Sequence, residues 1–266
     1  MQLVLVGVTQ LAIRLNTPSH GGWPNRWIPA FSVTPHTLHR SPDLAHNASA
    51  PNYRKVVNAS QAFPALLLDA LAGYIYLTET LHFEARFILL MGDSAGGHLC
   101  LALSRYLSDM SPPLPLPGKM ALSSPWSDWT LSFPSHQTNI EYDFLAPGAG
   151  KLSVAGALRF YKPEAKLDPY FSPALAGPGE SDYLSKADVK VYVQLGTREV
   201  LCDEIRAVVN GMERDGVDVQ LREVCDMDRK AWNLRLMEST RVDCGWTACR
   251  YRHSLAWIER LGDMER

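Results

Sequence analysis

The sequence predicts an α/β protein built on a mostly parallel, doubly wound sheet. Short apolar runs with the composition of buried strands alternate along the chain with longer segments of helical periodicity. The chain has 266 residues, of which 46% are hydrophobic and 20% are charged. That size and composition suit one large globular domain with its own core. We therefore expect a single domain over residues 1–266.

The expected elements follow in chain order. Residues 2–15 contain a β-like apolar run, whereas residues 16–63 are rich in Pro, Ser, Asn and His, as loops are. The remaining apolar patterns predict helices at 65–81, 95–107, 199–214 and 253–261, and strands at 87–91, 120–123, 189–195 and 217–224.

A long irregular stretch separates two of the expected strands. Residues 131–185 are interrupted repeatedly by prolines and show no sustained periodicity. Long insertions in compact domains are often functional lids. We therefore predict a cap over the site at about residues 131–185.

Charge and cysteine content exclude several classes of partner. The net charge of −2 gives no electrostatic basis for binding nucleic acid or an anionic membrane. No apolar stretch is long enough for a membrane span, and the N-terminal run favours a buried strand over a signal peptide. Five scattered cysteines predict free thiols and a cytoplasmic location. Cys244 and Cys249 have only His253 nearby, too few ligands for zinc.

The strongest chemical signal is a serine in a glycine-rich turn. Gly92, Ser94 and Gly96 form G-x-S-x-G between an expected buried strand and an expected helix. This context is that of a nucleophile elbow, in which small neighbours permit a strained serine backbone. The helix start would also direct backbone N–H groups towards an oxyanion. The pattern predicts Ser94 as a nucleophile.

The run GDSAGGHL around Ser94 resembles the elbow of the hormone-sensitive-lipase-like esterases, a branch of the α/β-hydrolase fold. The resemblance covers about residues 50–225 and is closest to fungal members. It implies an α/β-hydrolase fold with a cap insertion. The further matching segments are Tyr53-Arg54, Phe63-Pro64-Ala65, Asp69-Ala70, Ser124-Pro125-Trp126 and Tyr170-Phe171-Ser172-Pro173.

The resemblance also implies an oxyanion hole. The family uses an H-G-G-G loop together with the amide that follows the nucleophile. Here His20-Gly21-Gly22-Trp23 stands upstream of the elbow, with tryptophan in place of the third glycine. Gly21, Gly22 and Ala95 are therefore the candidate donors. The same loop also resembles the H-G-G-x-W loop of kynurenine formamidases, which leaves an arylformamidase-like amide hydrolase as an alternative.

The acid of the implied triad falls on a segment that matches the family, whereas the base does not. Glu199 falls at the first acidic position of a segment resembling the family's G-x-x-[DE]-x-L-x-D. Asp203 is the second candidate for the acid, and Glu204 is expected on a solvated helix face. The family's histidine position holds Arg229, so His253 is the remaining candidate for the base. The segment 228–252 is either divergent, or unspliced or frameshifted.

The function predicted from these residues is that of a serine carboxylester hydrolase. It would cleave a small or medium acyl ester, with a fungal secondary metabolite as one possible substrate, and it would need no metal or organic cofactor. The alternative from another class is a catalytically impaired binding protein for a small molecule, which lacks the triad histidine. His98 is expected to pack beneath the elbow, and His136 to lie on a loop or at the surface.

Overall fold

The computed structural model describes residues 4–8, 38–40, 47–49, 53–54, 56, 58–143, 145 and 147–224. Within them, seven strands form one sheet in the order β2-β3-β1-β4-β5-β6-β7. β2 runs antiparallel to β3, and every other neighbouring pair is parallel. The strands are β1 (Val4–Val8), β2 (Leu38–Arg40), β3 (Asn47–Ser49), β4 (Ile88–Asp93), β5 (Lys119–Ser123), β6 (Lys190–Gly196) and β7 (Val219–Val224).

Three longer helices accompany the sheet. α1 (Ala65–Ile75) continues into a π-helical turn at Tyr76–Thr80, and α2 (Ala95–Asp109) begins directly after β4. The short helices α3 (Ser135–Thr138), α4 (Ala149–Ala157) and α5 (Asp182–Lys186) lie between β5 and β6. α6 (Cys202–Arg214) connects β6 to β7.

The central strands carry the core. Leu89 and Leu90 of β4, Leu122 of β5 and Val193 of β6 are each at most 1% exposed. Strands of a parallel sheet read as continuous apolar runs because both of their faces are covered. The α/β class and the mostly parallel sheet expected from the sequence are confirmed.

The main correction concerns the segment expected to be loop. Residues 16–63 contain the strands β2 and β3, each of only three residues. Strands this short carry too few residues for a period of two to be visible, so the polar composition alone pointed to a loop. The helix expected from residue 199 begins at Cys202. The stretch from 131 to 185, expected to be irregular, contains α3 and α4 and most of α5.

Among the described residues, no helix combines the length and the apolar character that a membrane span requires. The expected terminal helix at 253–261 lies outside the described residues.

Candidate active site

The turn between β4 and α2 holds Ser94 in a backbone conformation that serine rarely adopts. Its φ is 56° and its ψ is −118°, and it is the residue immediately before α2. A non-glycine residue at positive φ is held there only when the surrounding structure enforces it. Such strain projects the side chain out of the turn, as a nucleophile elbow requires.

Two glycines permit this turn by allowing the strand and the helix to approach closely. A β-carbon on Gly92 would collide with the carbonyl group of Gly96. A β-carbon on Gly97 would lie 2.8 Å from the β-carbon of Pro125. Neither collision could be relieved by a flexible side chain, since the obstructing atoms are backbone or proline ring atoms. The glycine-rich motif is therefore explained by the space it leaves at the elbow.

At this site, backbone hydrogen bonds between neighbouring strands continue into the residues that directly follow β4 and β5. The amide of Ser94 donates to the carbonyl of Ser123 at 2.9 Å, and the amide of Ser124 donates to the carbonyl of Gln194 at 2.8 Å. The carbonyl of Ser94 in turn accepts the amide of Trp126 at 3.0 Å. The carboxyl ends of β4, β5 and β6 thus meet at one edge, where open α/β sheets place their ligands.

Glu199 lies at the same edge, on the turn that follows β6. Its side chain is buried, with 2% of the residue exposed, and its amide donates to the carbonyl of Gly196. The Oγ of Ser124 donates to Glu199 Oε1 at 2.8 Å. Since Ser124 follows β5, which pairs with β4, this bond joins the carboxylate to the strand next to the one that carries Ser94.

Asp203, the second candidate for the acid, is directed elsewhere. Its Oδ2 accepts the amide of Ser135 at 3.0 Å, and its Oδ1 lies 3.6 Å from a guanidinium nitrogen of Arg206. About a third of its side chain is exposed, at 35%. Of the two carboxylates, Glu199 is the buried one that bonds a residue next to the elbow.

The expectation that Glu204 lies on a solvated helix face is wrong. The residue is 0% exposed, and its Oε1 accepts the amides of Ser127 at 2.6 Å and Asp128 at 3.2 Å. Its Oε2 lies 2.7 Å from Nε2 of His136. Burial raises the pKa of Glu204, and the hydrogen bond from His136 acts in the opposite direction. His136 is thus a half-buried partner of α6 and not a surface residue.

Asp128, His136 and Glu204 are the residue types that could hold a metal ion, and their ligand atoms lie within 4.8 Å of one another. The oxygens of Asp128 already accept hydrogen bonds from the amides and hydroxyls of Thr130 and Ser132. Glu204 is likewise engaged by two amides and by His136. Hydrogen bonding within the fold accounts for these side chains, so we assign the cluster a structural role.

His98 lies one turn into α2 and packs beneath the elbow as expected. It is 2% exposed, its Nδ1 lies 3.1 Å from the carbonyl of Trp126, and its ring contacts that of Trp129 with centroids 4.7 Å apart. Burial lowers the pKa of His98 to about 4, although the hydrogen bond with Trp126 partly opposes the shift. His98 is therefore neutral at neutral pH and serves the packing of the elbow.

The depressed pKa of His98 predicts an acid-labile fold. The unfolded histidine takes up a proton below about pH 6.5, whereas the folded one does so only below about pH 4. Stability is therefore fully present above pH 6.5 and is lost as pH falls towards 4, by on the order of 3 kcal/mol. We expect His98→Asn to flatten this acid slope in urea unfolding measured at intervals from pH 4 to 7. Exposed His82 provides the control, as His82→Asn, and an unchanged slope in His98→Asn would contradict the assignment.

An aromatic cluster adjoins the elbow. The Trp126 and Trp129 rings stack with centroids 5.4 Å apart, and Phe171 packs against Trp129 at 5.1 Å. Phe63 meets Phe171 edge-on at 4.6 Å. These rings bring together segments before α1, after β5 and before β6, and they fix the polypeptide around Ser94 by burying aromatic surface.

The other predicted site residues divide into two groups. Ala95 is the first residue of α2, where a backbone N–H has no intrahelical acceptor and can bind an anion. Gly21, Gly22, Arg229 and His253 lie outside the described residues, as do Cys244 and Cys249. Ser124 was expected only as part of a segment that resembles the family, with no role of its own, and its contact with Glu199 spans 75 positions of the chain. Its place immediately after β5 could have indicated a residue of the site.

The fold and the elbow together define an α/β hydrolase scaffold with a serine at the carboxyl edge of its sheet. A family described as alpha/beta hydrolase fold matches residues 32–232, more than half of the chain. The chain belongs to this family, and the α/β-hydrolase fold expected from the sequence is confirmed.

Individual relatives agree with that assignment. An "Acetyl-hydrolase" of Streptomyces hygroscopicus is 32% identical over 165 residues, which make up 62% of this chain and 51% of the relative. The chain thus spans about half the length of this curated relative. The fold is also similar to that of EstE5 soaked with ethyl alcohol, at 29% identity and a TM-score of 0.61, covering 73% of this chain and 62% of the other.

A second similar structure belongs to one branch of the α/β hydrolases. An esterase from the bacterial hormone-sensitive lipase family is 28% identical, with a TM-score of 0.61, covering 72% of this chain and 60% of the other. The resemblance to hormone-sensitive-lipase-like hydrolases is confirmed at this level.

Proposed function

We propose that this protein is a serine carboxylester hydrolase that cleaves a small or medium acyl ester. The observation that carries the proposal is the strained Ser94 between β4 and α2, at the sheet edge that also holds a buried carboxylate. Structural strain of this kind clusters at functional sites. Similarity to proteins described as esterases and as an acetyl-hydrolase supports the same reaction class.

In the proposed reaction, Ser94 attacks the ester carbonyl. A histidine accepts the hydroxyl proton and later passes it to the departing alcohol, after which water hydrolyses the acyl-enzyme. Glu199 orients that histidine and stabilises its protonated form. The amide of Ala95, at the start of α2, donates to the oxyanion, with Gly21 and Gly22 as the further donors. No step of this sequence needs a metal or an organic cofactor.

His253 is the proposed base. It is the one histidine that follows Glu199 in the sequence, so it completes the order nucleophile, acid, histidine of this hydrolase fold. Residues 131–185 would form the cap that selects the acyl and alcohol groups. An ester of a fungal secondary metabolite is the substrate class we propose, on the resemblance of residues 50–225 to fungal members of the family.

A small-molecule binding protein is the second candidate. It is favoured by Arg229, which occupies the position where the resembling family carries its histidine. Without a general base, a serine hydroxyl is a poor nucleophile at neutral pH. The scaffold would then retain a ligand pocket but not turnover.

Hydrolysis of p-nitrophenyl acetate by three forms of the chain separates the two candidates. We expect slow turnover by the unsubstituted chain and a loss of at least about 10²-fold in His253→Ala, because general-base catalysis contributes 10²–10⁴-fold. In Arg229→His we expect no gain. Turnover that is insensitive to His253→Ala and rises in Arg229→His would instead identify a chain that lost its base. An N-formylated aromatic amide, assayed in parallel, tests the arylformamidase-like alternative.

A further inference from the structure

Three polar residues stand at intervals of four along the segment that begins with α3. They are Ser135, Asn139 and Asp143, and the intervals are spanned by backbone hydrogen bonds from Asn139 to Ser135 and from Asp143 to Asn139. Residues four apart on a helical path share one face. Ser135 and Asp143 are buried, with 2% and 4% of each residue exposed. We refer to Ser135, Asn139 and Asp143 as the polar clamp.

The face that carries the polar clamp is turned to the loop bearing Glu199. Asn139 Nδ2 donates to the carbonyl of Glu199 at 2.9 Å and approaches that of Thr197 at 3.4 Å. Asp143 Oδ2 accepts the amide of Val200 at 2.9 Å. The carbonyl and the N–H of the peptide group that follows the Glu199 α-carbon are therefore both held by side chains of another segment.

Ser135 forms further hydrogen bonds with the residues that lead into α6 and with Asp203 in its first turn. Its Oγ donates to the carbonyl of Val200 at 2.7 Å and accepts the amide of Asp203 at 3.2 Å. Its own amide donates to Asp203 Oδ2. The turn from 197 to 203 is thus hydrogen-bonded to all three members of the polar clamp, with Asn139 and Ser135 donating to its carbonyls and Asp143 accepting one of its amides.

Burial of a charged group requires compensation, and Asp143 obtains it through this arrangement. Its Oδ1 accepts the amide of Leu145 at 3.0 Å, so each of the two carboxylate oxygens accepts one backbone amide. A buried carboxylate is costly unless it is hydrogen-bonded in this way. Asp143 therefore holds the loop that contains Leu145 against the loop that contains Val200, because each loop supplies one of the two amide donors.

We infer that Asn139 and Asp143 are positioning residues for the carboxylate of Glu199. This inference deepens the proposed function, because it rests on Glu199 being the orienting acid. The polar clamp fixes the peptide group that follows Glu199, while Ser124 holds the carboxylate of Glu199 from the strand side. The segment following β5 thereby sets the direction in which the acid faces the base. Its members touch neither substrate nor reacting atoms and act only through Glu199.

The test compares Asn139→Asp and Asp143→Ala with Gln137→Ala. Asn139→Asp preserves side-chain shape but replaces the donor to the Glu199 carbonyl with an acceptor. Gln137 is an exposed residue of α3 and serves as the matched control. Should Asp143→Ala fail to fold, Asn139→Asp carries the test. Thermal unfolding of each variant checks that the fold persists.

Amide hydrogen exchange of the whole chain is the first measurement. We expect exchange to increase in residues 197–203 for both clamp variants and to remain unchanged in β4 and β5, because only the turn loses its partners. Gln137→Ala should match the unsubstituted chain throughout. Unchanged exchange in residues 197–203 would overturn the inference.

The second measurement is the pH profile of p-nitrophenyl acetate hydrolysis. A displaced carboxylate stabilises the protonated base less, so the base pKa falls and the acidic limb of kcat/KM moves to lower pH. We expect kcat to fall on the order of 10²-fold with little change in KM, as misplacement of a catalytic group by about 1 Å can do. An active chain whose clamp variants keep kcat and the acidic limb overturns the inference. If the unsubstituted chain shows no turnover, the proposed function fails, and hydrogen exchange alone decides on the clamp.

Discussion

Replacing Ser94 with alanine is expected to abolish covalent labelling by a fluorophosphonate probe and to remove the hydrolysis of p-nitrophenyl acetate. Alanine keeps the β-carbon of serine, so the strain at φ 56° is unchanged and the fold should be retained. What disappears is the hydroxyl placed between the end of β4 and the amide end of α2. Mass spectrometry of the labelled protein locates the adduct.

A serine away from the elbow provides the comparison for this experiment. Ser185→Ala in α5 removes a hydroxyl that bonds only the carbonyl of Asp182 in the described part of the chain. We expect Ser185→Ala to label at the rate of the unsubstituted chain. Labelling that persists in Ser94→Ala would show that the reactive hydroxyl lies elsewhere.

The second large effect is expected at Glu199. Glu199→Gln retains an oxygen that can accept the Ser124 hydroxyl but loses the negative charge that orients and stabilises a protonated histidine. Neutralising the acid of a serine triad lowers kcat by about 10⁴-fold, and a loss of this order is expected here in steady-state hydrolysis. Ser124 should then remain hydrogen-bonded, so the local structure changes little.

Asp203→Asn separates this interpretation from its alternative. The asparagine keeps one oxygen to accept the amide of Ser135 and replaces the other oxygen, together with the negative charge, by an amide nitrogen. We expect a loss far smaller than that in Glu199→Gln, because Asp203 is directed towards α3 and Arg206. A larger loss in Asp203→Asn than in Glu199→Gln would reverse the assignment of the acid.

Ser94 and Glu199, the proposed nucleophile and acid, reach the same edge of the sheet without any long-range contact being encoded in the local sequence. Ser94 follows β4 and Glu199 follows β6, with β5 between the two strands. Parallel strands end at one edge, so residues placed just after them converge automatically. The same logic places Ser124, at the end of β5, between the two.

Local periodicity by itself determined much of the architecture of this protein. The apolar runs predicted β4, β5 and β6 because buried parallel strands leave a continuous apolar signature that depends only on neighbouring residues. The alternation of apolar and polar residues predicted β7. The nucleophile elbow could also be predicted from neighbouring residues, because the turn itself requires small residues around Ser94. The fold class and the turn at Ser94 could therefore be predicted from local patterns, whereas Glu199 was identified only through the resemblance to the family's G-x-x-[DE]-x-L-x-D segment.

What only the tertiary structure decided are the partners of polar side chains. The charge of Glu204 predicts a solvated residue on a helix, but the residue is buried. Its burial is compensated by a hydrogen bond from the amide of Ser127, 77 positions away. The polar clamp is similarly visible as polar residues spaced by four, but its hydrogen bonds to residues 197–203 join segments more than fifty positions apart. A sequence pattern records the face on which a side chain lies, whereas the donor or acceptor that compensates its burial comes from packing between distant segments.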